Sequence, residues 1–133
     1  MSDLVTDTHA AIWYFAKSPE LSATARSAIN TAVQQGATIF LPTISLVEIV
    51  YLLDKGKLAP NTLPRLVQAL NNPASSFVPI DLKPAIALAV QQIPRQVVPD
   101  MPDRIIAATA LQMNLPLVTA DHQIQASRIH TIW

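Results

Sequence analysis

Thr38-Ile39-Phe40-Leu41-Pro42-Thr43-Ile44-Ser45-Leu46-Val47-Glu48-Ile49-Val50-Tyr51-Leu52-Leu53-Asp54-Lys55-Gly56 runs a short β-rich stretch directly into a longer helical one. Residues 38–41 have the branched and aromatic composition of a strand, and Pro42 ends them. From Ile44 to about Lys55 the pattern is helical, with Thr43 expected as its cap and Gly56 as its stop. The same order recurs along the chain. Short β-rich runs alternating with helical segments imply an α/β fold, a parallel sheet joined by helical crossovers.

Working outward, Leu4 to Thr6 is expected as the first strand and Ala10 to Ala16 as a short helix leaving it. Ser22 caps a helix through Gln35, with Ala25, Ala28, Ile29, Ala32 and Val33 on one face and Gly36 as its stop. Asn61 to Leu70 reads as a helix broken by Asn71-Asn72-Pro73, Phe77 to Ile80 as the third strand, and Ala85 to Gln92 as a further helix. Pro94 to Pro99 is the least regular stretch and is expected to be an exposed connection. Asp100 opens a helix to about Asn114, Leu117 to Thr119 is the fourth strand, and His130 to Ile132 the fifth.

With 133 residues, half of them hydrophobic, the sequence is sized for one domain spanning 1–133. Nine basic residues balance nine acidic ones, so the net charge gives no reason for broad attraction to nucleic acid or to an anionic membrane. Nucleic-acid contacts must then be local. The absence of cysteine excludes disulfides and thiolate metal sites and leaves oxygen and imidazole as metal ligands. Neither an export signal nor an apolar run approaching the ~20 residues of a membrane span is visible, and a cytoplasmic protein is the expectation.

Ligands of open parallel sheets collect beyond the carboxyl ends of the strands. Asp7 ends the first strand, Asp121 lies just past the fourth, Glu48 sits in the second turn of the helix after the second, and Asp103 in the first turn of the helix leading to the fourth. Glu48 interrupts a helix that is apolar on nearly every side and is therefore expected to be largely buried; no basic residue stands at helical spacing before Lys55. Each acid also has a structural reading. Asp7 and Asp121 can cap the segments they precede, Asp100 and Asp103 have capping-box spacing, and Glu48 can take a distant salt bridge or reach solvent. Carboxylates gathered in one pocket suit Mg²⁺ or Mn²⁺, and one or two such ions can activate water against a phosphodiester.

These segments also resemble the PIN-domain ribonucleases, and within them the VapC-type toxins of toxin–antitoxin pairs. Asp7-Thr8-His9-Ala10-Ala11-Ile12-Trp13 is similar to the family's opening motif and Ser45-Leu46-Val47-Glu48 to its second. Asp100-Met101-Pro102-Asp103-Arg104-Ile105-Ile106-Ala107-Ala108-Thr109-Ala110 is similar to the third and Thr119-Ala120-Asp121 to the fourth, in the family's order and over almost the whole chain. Met101-Pro102 replaces the more usual Pro-Phe between the acids. The resemblance implies a three-layer α/β/α sandwich around about five mostly parallel strands, Mg²⁺- or Mn²⁺-dependent cleavage of RNA, a homodimer, and an antitoxin that blocks the site. It carries over Asp7, Glu48, Asp103 and Asp121 as catalytic, metal-binding residues and leaves Asp100 as a cap or outlying acid.

Two other classes compete with this reading. An aspartyl-phosphate phosphotransfer enzyme also places Asp after its first strand, but His9 stands where the second Asp of a dehalogenase-like site belongs. A non-catalytic interaction domain could use an acidic pocket to bind a basic peptide. The remaining polar and aromatic residues have simpler expected roles: packing or hydrogen bonding for the histidines, local capping or the orienting of carboxylates or water for Thr8, Ser45 and Thr119, and a salt bridge or a phosphate contact for Arg104. Lys55-Gly56-Lys57 is expected as a solvated helix end, and Trp13-Tyr14-Phe15 as core or dimer interface.

Overall fold

The computed structural model describes residues 2–133. Five strands, β1 (Leu4–Thr6), β2 (Ile39–Pro42), β3 (Phe77–Ile80), β4 (Leu117–Val118) and β5 (Thr131–Ile132), form one sheet in the order β3-β2-β1-β4-β5. Every neighbouring pair is parallel. The chain builds outward from β1 through β2 to β3, then crosses to the other side of β1 for β4 and β5. Its switch point lies between β1 and β4, where open parallel sheets hold their ligands.

Helices cover both faces. Successive side chains of a strand point to opposite sides, so Leu4 and Val5 enter different cores. On one side Val5 and Leu117 pack under α5 (Pro84–Ala89), α6 (Met101–Met113) and α7 (His122–Gln125). On the other, Leu4, Ile39 and Val118 pack under α1 (Thr8–Phe15) and α2 (Ala23–Gln34), and Leu41 joins Ile49 and Leu66 of α3 (Ile44–Asp54) and α4 (Thr62–Asn71). This is the α/β/α sandwich expected. No helix among the described residues is long and apolar enough to cross a membrane.

Local departures have physical causes. Thr43 makes no side-chain cap because its backbone is already helical. Ser22 is extended and caps α2 as expected, with Gly36 just beyond that helix at φ +70. The connection from Pro94 to Pro99 is exposed as expected at Pro94, Arg95, Gln96 and Pro99, while Val98 turns into the core. Ile93 and Val98 are buried, and Arg104 of α6 fastens this connection by donating to the carbonyls of Val90 (3.0 Å) and Ile93 (2.9 Å). Arg104 thus caps backbone acceptors and forms no bridge to a neighbouring acid. The expectation that α3 is largely buried also fails. Ser45 and Ile49 are its buried residues, while Val47, Val50 and Tyr51 are exposed.

Thr6, fully buried, has the one buried side-chain polar atom among the described residues with no hydrogen-bond partner, Oγ1. An unpaired buried hydroxyl destabilises the native state. Thr6→Val is therefore expected to raise stability by roughly 1 kcal/mol, a rise of several degrees in melting temperature. Thermal denaturation checks this, and an unchanged or lowered melting temperature shows that the hydroxyl is satisfied.

Candidate active site

Asp7 follows β1 directly, and its extended backbone lets the side chain fold over the start of α1. Its Oδ1 accepts from the Ala10 amide at 2.8 Å, and its Oδ2 accepts from the Thr119 hydroxyl at 2.5 Å. Thr119, at the end of β4, also accepts from the Asp121 amide at 3.0 Å. One hydroxyl therefore ties the ends of the two central strands together. Asp121 caps α7 through the amides of Gln123 and Ile124. The capping readings of Asp7 and Asp121 are correct, and both carboxylates still face the same cleft.

Glu48 reaches the cleft from α3. Instead of a salt bridge it accepts from the buried hydroxyl of Thr8 at 2.5 Å, and Thr8 lies 2.9 Å from Ser45 Oγ. These hydroxyls orient a carboxylate across two helices, the second of the two roles expected of them. Asp100 caps α6 by accepting from the Asp103 amide at 3.3 Å. Asp103, one turn in, faces the acids of the other elements.

The resulting cleft of about 480 Å³ brings together all four expected acids, Asp7, Glu48, Asp103 and Asp121. It also includes Asp100. Carboxylate oxygens of Glu48, Asp100 and Asp103 lie within 4.8 Å of one another, close enough to share one cation. Capping-box spacing concealed Asp100, since the same i, i+3 relation serves a helix end and a pair of converging ligands. His9 and Trp13 line the cleft as well, with His9 exposed, a placement that the core reading of Trp13 did not anticipate.

Crowding is visible in the acid–base properties. Burial pushes the Asp7 carboxyl up, partly offset by its hydrogen bonds from Thr119 and Ala10 and by His9, while Asp121 adds to the rise. Asp103 is raised to about 7 by burial, by the charges of Asp121, Asp100 and Glu48, and by a hydrogen bond with Asp121. An all-oxygen donor set under such mutual repulsion fits a hard divalent cation.

Residues 4–128 match the sequence model of the PIN domain. The chain belongs to the PIN-domain family. It is 27% identical over 128 residues to Ribonuclease VapC22 of Mycobacterium tuberculosis, covering 96% of this chain and 94% of that protein. Among solved structures, VapBC2 from Rickettsia felis bound to a promoter DNA fragment superposes with a TM-score of 0.72 at 17% identity, covering 97% of this chain and 96% of its own. A DNA-bound VapBC from Salmonella typhimurium gives 0.70 at 22% identity, with 98% and 97% covered. A toxin–antitoxin complex from Klebsiella pneumoniae gives 0.69 at 21%, with 98% and 96% covered. At such identities the superpositions establish the PIN fold.

The raised Asp103 carboxyl has a thermodynamic consequence. Asp103 keeps its proton to higher pH in the native, metal-free PIN domain than in the unfolded chain, so its contribution to stability is full below the unfolded value of 3.8 and is lost as pH rises through about 7. Thermal denaturation in chelator across this range is expected to show that fall, and Asp103→Asn is expected to flatten it. Equal slopes for the two proteins would show that Asp103 does not carry the effect.

Proposed function

We propose that this PIN domain is a metal-dependent endoribonuclease, hydrolysing RNA phosphodiester bonds as the toxin of a toxin–antitoxin pair. Asp7, Glu48, Asp103 and Asp121 are its catalytic, metal-binding residues, within a single domain spanning 1–133. The observation that carries this reading is the convergence of carboxylates from β1, α3, α6 and the β4–α7 junction on one cleft. A relative named as a ribonuclease and neighbours described as toxin–antitoxin complexes support it.

The side chains divide the work. Glu48 and Asp103, with Asp100 beside them, would hold Mg²⁺ or Mn²⁺ directly, and Asp7 and Asp121 would complete the metal site towards the switch point, directly or through water. Such an ion, when bound, supplies Lewis acidity for the phosphodiester and for the attacking water. Thr119 and Thr8 hold Asp7 and Glu48 in single orientations, so little reordering is needed when substrate enters. The phosphotransfer alternative is disfavoured because residues 4–128 match the PIN domain and because His9 stands where a dehalogenase-like site carries its second Asp.

A protein partner has a surface to cover. Tyr51 (63% exposed), Met101 (65%) and Val47 (50%) form an apolar strip. They line a groove that shares His9, Glu48 and Asp100 with the acidic cleft. An antitoxin segment placing apolar side chains on this strip and an Arg or Lys over the acids would close the site. Exposed Leu82 and Leu88 supply apolar surface outside both grooves for the homodimer expected of this class.

Purified protein is expected to cleave RNA with Mg²⁺ or Mn²⁺ and to stop in chelator. Asp7→Asn and Asp103→Asn are each expected to lower kcat/KM by roughly a hundredfold or more while the circular dichroism spectrum is unchanged. Expression without a partner is expected to arrest growth, and Glu48→Gln to relieve the arrest. Cleavage that persists in chelator, or a folded Asp103→Asn protein of full activity, would remove the metal assignment.

A further inference from the structure

Zero net charge poses a problem for a protein that handles RNA. Non-specific affinity for nucleic acid ordinarily comes from basic side chains that displace counterions from the phosphates. Here nine basic residues are matched by nine acidic ones, and the cleft itself is acidic. A divalent ion would hold one phosphate. Among the described residues no Lys or Arg lines the cleft, Lys55 lying in the adjoining groove, so contacts that do not depend on positive charge are the ones left to add affinity within it. Base stacking on aromatic rings is such a contact, and every base offers a face for it.

Among the aromatic residues, Phe40 packs against the core on the α6 side, and Tyr51 lines the adjoining apolar groove. Tyr14, Phe15 and Phe77 pack on one another as part of the core. His9 and Trp13 instead line the acidic cleft. They lie one turn apart on α1 and so share a face, with ring centroids 5.5 Å apart and planes inclined at 49°. Trp13 is in turn 5.9 Å from the ring of Trp133 and is packed against buried residues of two clusters. His9 is exposed. It buries too little to matter as packing, yet a fixed indole backs it, and its chain neighbour Thr8 holds Glu48.

We infer that His9, supported by Trp13, seats an unpaired nucleobase of the RNA next to the phosphate that a divalent ion on the acids would hold. This rests on the ribonuclease reading above. His9 is a substrate-binding residue in this role, and Trp13 a positioning residue that fixes its ring. A base stacked there contributes alike to the bound substrate and to the transition state, so its loss raises KM and spares kcat.

The test uses the full chain carrying Asp103→Asn, with Mg²⁺ present, and a short labelled single-stranded RNA whose binding is followed by anisotropy. His9→Ala is expected to weaken binding roughly tenfold, the scale of one stacked base, and His9→Phe to restore it to within about twofold. An abasic nucleotide at the responsive position is expected to give the same loss, with no further loss when combined with His9→Ala. Both tryptophans of the chain belong to this ring series, so their emission is expected to be quenched by the base-bearing RNA and not by the abasic one. In the chain with Asp103 intact, His9→Ala is expected to raise KM by the same factor with kcat within about twofold. Unchanged affinity in His9→Ala, or an abasic loss of full size in that variant, overturns the base seat while leaving the nuclease standing. Absence of metal-dependent RNA cleavage by the unaltered protein overturns the ribonuclease reading and the base seat with it.

Discussion

The hydrogen bond from Thr119 to Asp7 holds the centre of the molecule together. It joins the ends of β1 and β4, the two strands between which the chain reverses its direction of building, and it does so at the point where acids gather. Parallel sheets leave a crevice there because the crossovers on either side depart in opposite directions. Carboxylates crowded into that crevice repel one another. Unless each were fixed by donors, they would turn outward to water and the cleft would lose its shape.

The donors come from short polar side chains and backbone amides, with no cation among those that fix Asp7, Glu48 and Asp121. Thr119 and the Ala10 amide hold Asp7, Thr8 holds Glu48, and the first amides of α7 hold Asp121. Neutral donors orient an acid without cancelling its charge, whereas a salt bridge would satisfy it and remove its appetite for a metal. The cost appears as the raised carboxyls of Asp7 and Asp103. Two hydrophobic faces, one under α5 and α6 and the other under α1 and α2, carry the stability that offsets this strain.

Much of this was legible in the sequence. The alternation of β-rich and helical stretches led to the parallel sheet, and the positions of Asp7, Glu48, Asp103 and Asp121 relative to those elements led to one cleft. The parts that were not legible depended on tertiary context. Thr43 has cap chemistry but helical backbone angles, which only the turn out of β2 determines. Val97-Val98 sits among prolines, yet Val98 joins the core cluster under α6, and Arg104, six residues on, fastens the carbonyls of Val90 and Ile93 just before it. Asp100 was ambiguous because capping and convergence share one spacing. The apolar character of α3 was read as burial, although composition cannot separate a helix covered by its own fold from one left for a partner.

That last ambiguity bears on how a single cleft can serve two kinds of ligand. Its wall at α1 offers His9 and Trp13, flat rings suited to a base, while the adjoining groove at α3 and α6 offers Val47, Tyr51 and Met101, an apolar strip suited to peptide side chains. A protein partner lying on the strip gains hydrophobic burial, which changes little with salt, whereas RNA depends on an ion and a stacked base. On the proposed reading, inhibitor and substrate compete for the acids but draw most of their affinity from different walls. Substitutions on the strip can then loosen the partner without weakening RNA, and the acids need not be compromised for the protein to be held silent.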